Sequence, residues 1–313
     1  MNACPLCHGT DVALLYPSNR SGDPEAADFR CTSPRLALHP DIFRCRACTL
    51  VFNEPGDGSH DHLDEYARVE DPEYLEQEAS RRATYERELD HLERLRTGRD
   101  LLDVGCHAGF FLGFARDRGW RVAGVEPSRW AAEHARAQGF EVFNGPVEAY
   151  ETERRFDVVT LWDVLEHLVD PVSVLRHIRR LLKPDGLLVF ATHNLDRLLP
   201  RLMRGRYPLF MEMHTVHLTD RSRDLLLRTA GYDLVEVHTH ARAFRLGYFL
   251  SRMDRFAGPL ARAAERTVDL LGGRERLLWI GFSGAETVAA RPAAEPLPPP
   301  RLQRPGPGRS RGC

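Results

Sequence analysis

Between residues 100 and 190 the chain alternates short apolar runs with amphipathic stretches, and this limits the folds open to it more than any other feature. "DLLDVG" reads as a buried strand, "FFLGFARDRG" as a helix ending at Gly119, and "WRVAGVE" as a second strand. "SRWAAEHARAQG" is a helix capped by Ser128 and stopped by Gly139, followed by the strand "FEVFNG". "RFDVVTLWD", "PVSVLRHIRRLLKPDG" and "LLVFAT" continue as a strand, a helix closed by Pro184 and Gly186, and a strand. Parallel strands need crossover connections, and helices provide them, so the repeat predicts a parallel sheet covered on both faces. "DRSRDLLLRTAG", "YDLVEVHT" and "ETVAAR" (286–291) add a helix and two strands. The sum is a doubly wound, Rossmann-like α/β fold with seven strands, mostly parallel.

The turn after the first of these strands, "GCHAG", carries glycines at 105 and 109. A glycine turn here lets a ligand approach the backbone at the head of the next helix. A dinucleotide fingerprint places glycines at its first, third and sixth positions, which here are Gly105, His107 and Phe110, so nicotinamide cofactors are disfavoured. What remains is D-x-G-x-x-x-G (Asp103, Gly105, Gly109), with Glu126 twenty-three residues after Asp103 at the end of the second strand. A carboxylate there can accept both ribose hydroxyls of a nucleoside. Histidine tolerates positive φ better than most residues, so His107 is expected to make the turn with its ring pointing outward. Cys106 reads as a small packing residue rather than a nucleophile.

With "VEPS" (125–128), "NGPVEAY" (144–150), "FDVVTLWDVLEHLVDP" (156–171) and "LLKPDGLLVFATHN" (181–194), this combination resembles the class I S-adenosylmethionine-dependent methyltransferases, close to the quinone-biosynthesis O-methyltransferases. The resemblance covers about residues 100–240. It implies S-adenosyl-L-methionine as cofactor, with Asp103, Gly105, Cys106, His107, Gly109 and Phe110 along the methionine end and Glu126 and Pro127 at the ribose. Val147 and Glu148 would sit beside the adenine, and Leu161, Trp162 and Asp163 would close the floor. Pro146 stands where relatives often carry an acid that reaches the adenine amine.

A sulfonium methyl is already activated, so the reaction asks for positioning and, for a hydroxyl acceptor, a base. The resemblance associates Asp163, Glu166 and His167 with a divalent metal, of which Mg2+ suits oxygen-rich ligation; His167 alternatively faces the acceptor or is structural. His193 and His214 are further candidate bases, titrating in the right range when unperturbed. His214 matches a His-x-x-x-aromatic-Ser/Thr pattern in relatives, with Leu218 replacing the aromatic residue. His177, His238 and His240 are read as non-catalytic. The expected activity is methylation of a small-molecule acceptor, at oxygen first, with carbon or nitrogen of a sugar or other metabolite as the alternative. A binding protein that kept the fold without the reaction is the rival from another class.

Ahead of this core, "CPLCHG" and "FRCRACTLVF" place Cys4-x2-Cys7 and Cys45-x2-Cys48 thirty-seven residues apart, four thiolates for a structural Zn2+. The arrangement resembles the zinc ribbon ahead of many such methyltransferases; His8 and Cys31 are surplus to it. The organisation expected is a zinc-ribbon module at 1–55, a connecting helical region at 60–97, and a methyltransferase domain at 98–291 with cap insertions near 196–218 and 241–284. A disordered tail at 292–313 completes it. In "RAFRLGYFLSRMDRFAGPLARAAERTVDLLGG", Leu246, Phe249, Leu250, Met253, Phe256 and Leu260 recur at helical spacing, interspersed with Arg245, Arg252, Arg255 and Arg262. This is a cap helix or, alternatively, an element resting on a membrane surface. Forty-three basic and forty-five acidic side chains give a net charge of -2, and the ribbon has no basic stripe with interleaved aromatics, so no nucleic-acid partner is expected. The start "MNACPLCHGT" has no signal-peptide pattern, and an odd count of seven cysteines fits a reducing compartment, so a cytoplasmic location is expected.

Overall fold

The structure, a computed structural model, describes residues 3–20, 29–33, 35–53, 63–95, 98–281 and 283–294. Nearly all of the tail expected to be disordered lies outside these residues. Three short strands come first, β1 (Val12–Tyr16), β2 (Ile42–Cys45) and β3 (Val51–Asn53), then helices α1 (Leu63–Tyr66), α2 (Pro72–Leu75) and α3 (Glu78–Leu95). Helix α3 turns Tyr85, Leu89 and Leu92 inward, as their spacing predicts.

The alternating region follows as β4 (Asp100–Val104), α4 (Phe110–Asp117), β5 (Arg121–Glu126), α5 (Arg129–Ala137), β6 (Val142–Asn144), β7 (Phe156–Trp162), α6 (Pro171–Leu181) and β8 (Leu182–His193). Ser128 caps α5 by accepting from the Ala131 amide, and Gly139 past its end takes φ 82°. The chain closes with α7 (Leu198–Met203), β9 (Val216–His217), α8 (Asp220–Ala230), β10 (Tyr232–Thr239), β11 (Arg242–Arg245), α9 (Leu246–Leu270), β12 (Leu277–Ile280) and β13 (Ala285–Pro292).

Seven strands form one sheet in the order β10-β13-β8-β7-β4-β5-β6. Strands β4 to β8 pair in parallel, and β13 runs antiparallel between β8 and β10. The doubly wound, mostly parallel sheet is therefore present. Successive residues point to opposite faces. Leu102, Val159 and Leu188 pack under α6 and α8, and Leu101, Val158 and Leu187 under α3 and α4. Chain order reverses at β4, which has β5 on one side and β7 on the other, so the crevice beyond the carboxyl ends of β4 and β7 is the switch point where such sheets bind ligands.

Three local features differ from the sequence reading. Pro184 and Gly186 do not form a turn closing a helix: α6 ends at Leu181, and 183–186 bulge out of β8, so that Phe156 pairs with Leu182 and Val158 with Leu187. The cysteine-bearing strands form a sheet β1-β2-β3-β9 whose last member comes from residues 216–217, and Cys4, Leu6, Leu50 and Phe52 share one core with Leu165 and Val216. Helix α9 is kinked at Gly258 (φ 32°), before Pro259, and is inserted into a β11–β12 hairpin. Its apolar stripe is half-buried except for Leu260, which is exposed. Arg252 ties it to the Thr32 carbonyl and Glu73, and the Arg255 side chain lies outside the described set. Among the described residues no helix is long and apolar enough to cross a membrane.

Candidate active site at the switch point

The loop after β4 is built around three positive φ values, 73° at Gly105, 47° at His107 and 84° at Gly109, which caps α4. A Cβ on Gly105 would lie 2.5 Å from Cγ2 of Val164, so glycine lets the loops after β4 and β7 close on each other. Cys106 lies over Gly124, where a Cβ would come within 2.5 Å of its sulfur, and burial pushes its thiol well up; it is a packing residue, as expected.

Glu126, fully buried at the end of β5, binds this loop: Oε2 accepts from the His107 amide and Oε1 from the Ser128 amide, each at 2.8 Å. Burial pushes its carboxyl up to about 7, against the pull of the amides and of the Tyr66 hydroxyl. Each carboxylate oxygen has two lone pairs, so acceptor capacity remains for a ligand's hydroxyls. Asp103 accepts from Thr160 Oγ1 at 2.7 Å, and burial, then the Glu126 charge, raise it to about 8. Beyond β6, Asn144 donates to the carbonyls of Glu126 and Pro127, and a single 3-10 turn buries Val147 and leaves Glu148 exposed.

His107 does make the turn, but its ring does not point outward. It stacks on Tyr74 (centroids 3.6 Å apart) and meets the edge of Trp130, and burial lowers it to about 3. The aromatic surface of Tyr74 outcompetes solvent for the ring. The Arg81 guanidinium covers Tyr74 at 3.7 Å, and Phe110 stacks beside it. Among the described residues no ion pair joins Arg81 to a carboxylate; the groups that act on its charge are Tyr74, Tyr85, Cys31 and Tyr248. Asp71 accepts from the Thr32 amide and hydroxyl, which fastens the 29–33 segment here, and the Cys31 thiol lies within 4.8 Å of ligand atoms of Asp71 and His107. The sequence reading passed over Tyr74 and Arg81 as site residues; their signal was an aromatic and a cationic residue seven apart, with Tyr85 four residues further on, in a charged helical region.

After β7, Leu161 is buried, and Trp162 lies among Tyr85, Phe111 and His240. Asp163 (φ 57°) pairs with Arg242, which comes from the second insertion. Glu166, buried, faces His193 Nδ1 at 3.7 Å, and His167 Nδ1 donates to the Met213 carbonyl at 3.0 Å. These three side chains are thus turned to different partners and do not converge as a metal-ligand set in this structure. His193 Nε2 lies 2.6 Å from His217 Nδ1, and His214 Nδ1 donates to the Leu209 carbonyl at 2.7 Å. The rings of His167 and His193 lie 4.8 and 5.4 Å from that of His214, so the three expected histidines do come together, with His217 added. Facing His193 lowers Glu166 despite its burial, whereas burial lowers His214 to about 3.

Away from this crevice the sulfurs of Cys4, Cys7, Cys45 and Cys48 lie within 4.8 Å of one another, with the 4–48 and 7–45 pairs both at 3.5 Å and unbonded. A tetrahedron of Zn–S bonds of about 2.3 Å has edges of about 3.8 Å, so the set fits that ion. His8 (φ 55°) and Thr49 (φ 68°) follow the second cysteine of each pair and turn backbone amides onto the sulfurs.

Residues 75–237 match a family described as a methyltransferase domain. A ubiquinone biosynthesis O-methyltransferase of Aeromonas salmonicida is 37% identical over 105 residues, 31% of this chain and 44% of that protein. Its namesake in Alkalilimnicola ehrlichii is 39% identical over 109 residues, 31% and 42% of the two chains. The chain spans about half the length of the curated relatives it matches. A solved Thermotoga maritima protein, described as an S-adenosylmethionine-dependent methyltransferase and possible histamine N-methyltransferase, is 20% identical with a TM-score of 0.46, covering 70% of this chain and 94% of that one.

Proposed function

The chain belongs to the methyltransferase domain family, and on that premise we propose that it methylates a small-molecule acceptor at oxygen, with S-adenosylmethionine as donor. The observation that carries this is Glu126, a carboxylate buried at the switch point with its oxygens anchored by two amides. Those bonds aim it and, with the Tyr66 hydroxyl that also bonds the carboxylate displaced by the ligand, lone pairs remain for two ribose hydroxyls. When bound, the cofactor supplies a methyl group on a cationic sulfur. Asp103, Gly105, Cys106, His107, Gly109 and Phe110 line its methionine end, Pro127, Val147 and Glu148 its nucleoside end, and Leu161, Trp162 and Asp163 its floor. His167, His193 and His214 form a shelf on the acceptor side. Oxygen as the acceptor atom is supported by the relatives named above, whose names specify O-methylation.

Arg81 is the proposed counter-ion for the methionine carboxylate, since it stands on the Tyr74–His107 stack and has no acid paired to it among the described residues. A charge-assisted hydrogen bond contributes about 1.5–3 kcal/mol. Arg81→Met is therefore expected to raise the KM for S-adenosylmethionine about 10- to 100-fold, while Glu126 and the loop keep their geometry; initial-rate kinetics against cofactor concentration checks it. Zn2+ is proposed at Cys4, Cys7, Cys45 and Cys48. Magnesium has no ligand set at Asp163, Glu166 and His167, whose side chains are engaged by Arg242, His193 and Met213.

The test of the reaction is mass spectrometry of the zinc-loaded protein incubated with S-adenosylmethionine and a panel of catechols, other phenols and hydroxylated quinones. Gain of one methyl group on a member of the panel is expected. Cofactor binding with no methylated product across phenols, and methylated amines instead, would overturn the oxygen assignment.

A further inference from the structure

We infer that the buried Glu88–His240 pair is the general base of this site, a carboxylate-imidazole dyad whose Nε2 takes the proton from the acceptor hydroxyl. The inference rests on the methyl-transfer reading above and adds to it the residue that activates the acceptor. Strand β10 runs parallel to β4 and β7, because both β8 and β10 are antiparallel to β13, so its carboxyl end opens on the same edge of the sheet as the cofactor loop. His240 stands just beyond that end. Its ring stacks on Trp162 (22° between planes, 5.9 Å between centroids), the residue before Asp163. Arg242, two residues on, pairs with Asp163 itself. The segment carrying His240 is thereby fastened to the floor of the proposed site at two successive residues.

The tautomer follows from the partners. His240 Nδ1 lies 3.0 Å from Glu88 Oε1 and 2.9 Å from Thr287 Oγ1. An ionised carboxylate only accepts, so Nδ1 carries the hydrogen and Nε2 of the neutral ring holds the lone pair. Among the described residues Nε2 has no hydrogen-bond partner. Glu88 reaches in from α3 and is 2% exposed; it also accepts from His238 Nε2 at 3.1 Å and Thr287 Oγ1 at 3.2 Å. Burial pushes its carboxyl up, but the bonds from His238 and His240 outweigh this and hold it near 2. A carboxylate fixed behind Nδ1 orients the ring and stabilises the imidazolium formed when Nε2 takes a proton.

Of the histidines near Glu166, His193, His214 and His217 are less suited to this step. Burial lowers His214 to about 3 and His217 well below its ordinary value, and His193 is tied to His217 at 2.6 Å. Proton transfer works best from a base whose affinity lies near the working pH.

In the step, the acceptor O–H proton moves to His240 Nε2 while an oxygen lone pair forms the bond to the methyl carbon. The carbon–sulfur bond breaks and its electron pair stays on sulfur, which becomes a neutral thioether. The imidazolium then returns the proton to water.

Diethyl pyrocarbonate acylates reachable, unprotonated imidazole nitrogens, and peptide mass spectrometry locates the adduct. With S-adenosylhomocysteine bound to the zinc-loaded protein, His240 is expected to be modified. His240→Asn keeps a side-chain N–H for Glu88 where Nδ1 stood, but has no nitrogen in place of Nε2. It is expected to bind S-adenosylhomocysteine as the wild type does and to lose at least about 100-fold in kcat on catechol or on any other phenol that the wild type methylates. Absence of acylation at His240, or wild-type kcat in His240→Asn, overturns the dyad while leaving the methyl-transfer reading standing. A wild-type protein that binds the cofactor and methylates no phenol overturns both.

Discussion

Glu126→Ala is expected to remove measurable S-adenosylhomocysteine binding in calorimetry, while the protein still melts cooperatively. Two hydroxyl donors to one carboxylate are together worth about 3–6 kcal/mol when each contributes about 1.5–3. That corresponds to a loss of roughly 100-fold to more than 10⁴-fold in affinity. The loop also loses its anchor, since the His107 amide bonds to Glu126. Folding suffers far less: a carboxyl that burial has pushed up to about 7 is not a strong contributor at neutral pH. The sign of the pH dependence follows. With its carboxyl raised, the ligand-free folded protein binds this proton more tightly than the unfolded chain, so that part of its stability is present at acid pH and lost as pH rises through about 7. Ribose hydroxyls favour the ionised form, so cofactor binding is expected to release a proton and to weaken as pH is lowered through about 7.

With Zn2+ held by Cys4, Cys7, Cys45 and Cys48 as proposed, stripping it is expected to abolish turnover while changing S-adenosylhomocysteine affinity only a few-fold. The cysteine sheet is continuous with the histidine cluster proposed for the acceptor side: Val51 pairs with His217 and Phe52 with Val216, and the Thr49 and Thr219 hydroxyls lie 2.6 Å apart. Thr215, one residue before that ladder, donates its amide to the Glu166 carbonyl at 2.7 Å. Loss of the four-thiolate centre therefore frees β3, then β9, and with them His214 and His217. The cofactor loop and Glu126 hang from β4 and β5 and keep their supports. Structural zinc contributes about 10–16 kcal/mol in small peptides; here Leu6, Leu50 and Phe52 already pack on the main core, so a smaller fall in melting temperature is expected. Chelation followed by paired calorimetry and rate measurements checks the split. Equal loss of cofactor binding and turnover would contradict it.

How legible the chain was depends on distance along it. The strand and helix repeat, the glycine loop, Glu126 and the two cysteine pairs are local patterns, each contained in a few dozen residues, and the structure has them where the sequence placed them. Contacts across long separations left no such trace. Asp163 meets Arg242 across 79 residues, Glu88 meets His240 across 152, and Thr49 meets Thr219 across 170. His107 illustrates the same limit at one residue: its positive φ is a property of the turn, whereas its ring direction is decided by Tyr74, which arrives from a different helix. The stretch at Pro184 and Gly186 carried a strong helix-stop signal, and the helix does stop before it, but pairing with β7 resumes on both sides of the bulge and keeps those residues within a strand.

The central claim is that the switch-point crevice binds S-adenosylmethionine. Titration of S-adenosylhomocysteine into the intact, zinc-loaded protein tests it most directly. Micromolar binding at one site per chain, lost in Glu126→Ala, is the result predicted; absence of binding by the folded wild-type protein would contradict the account.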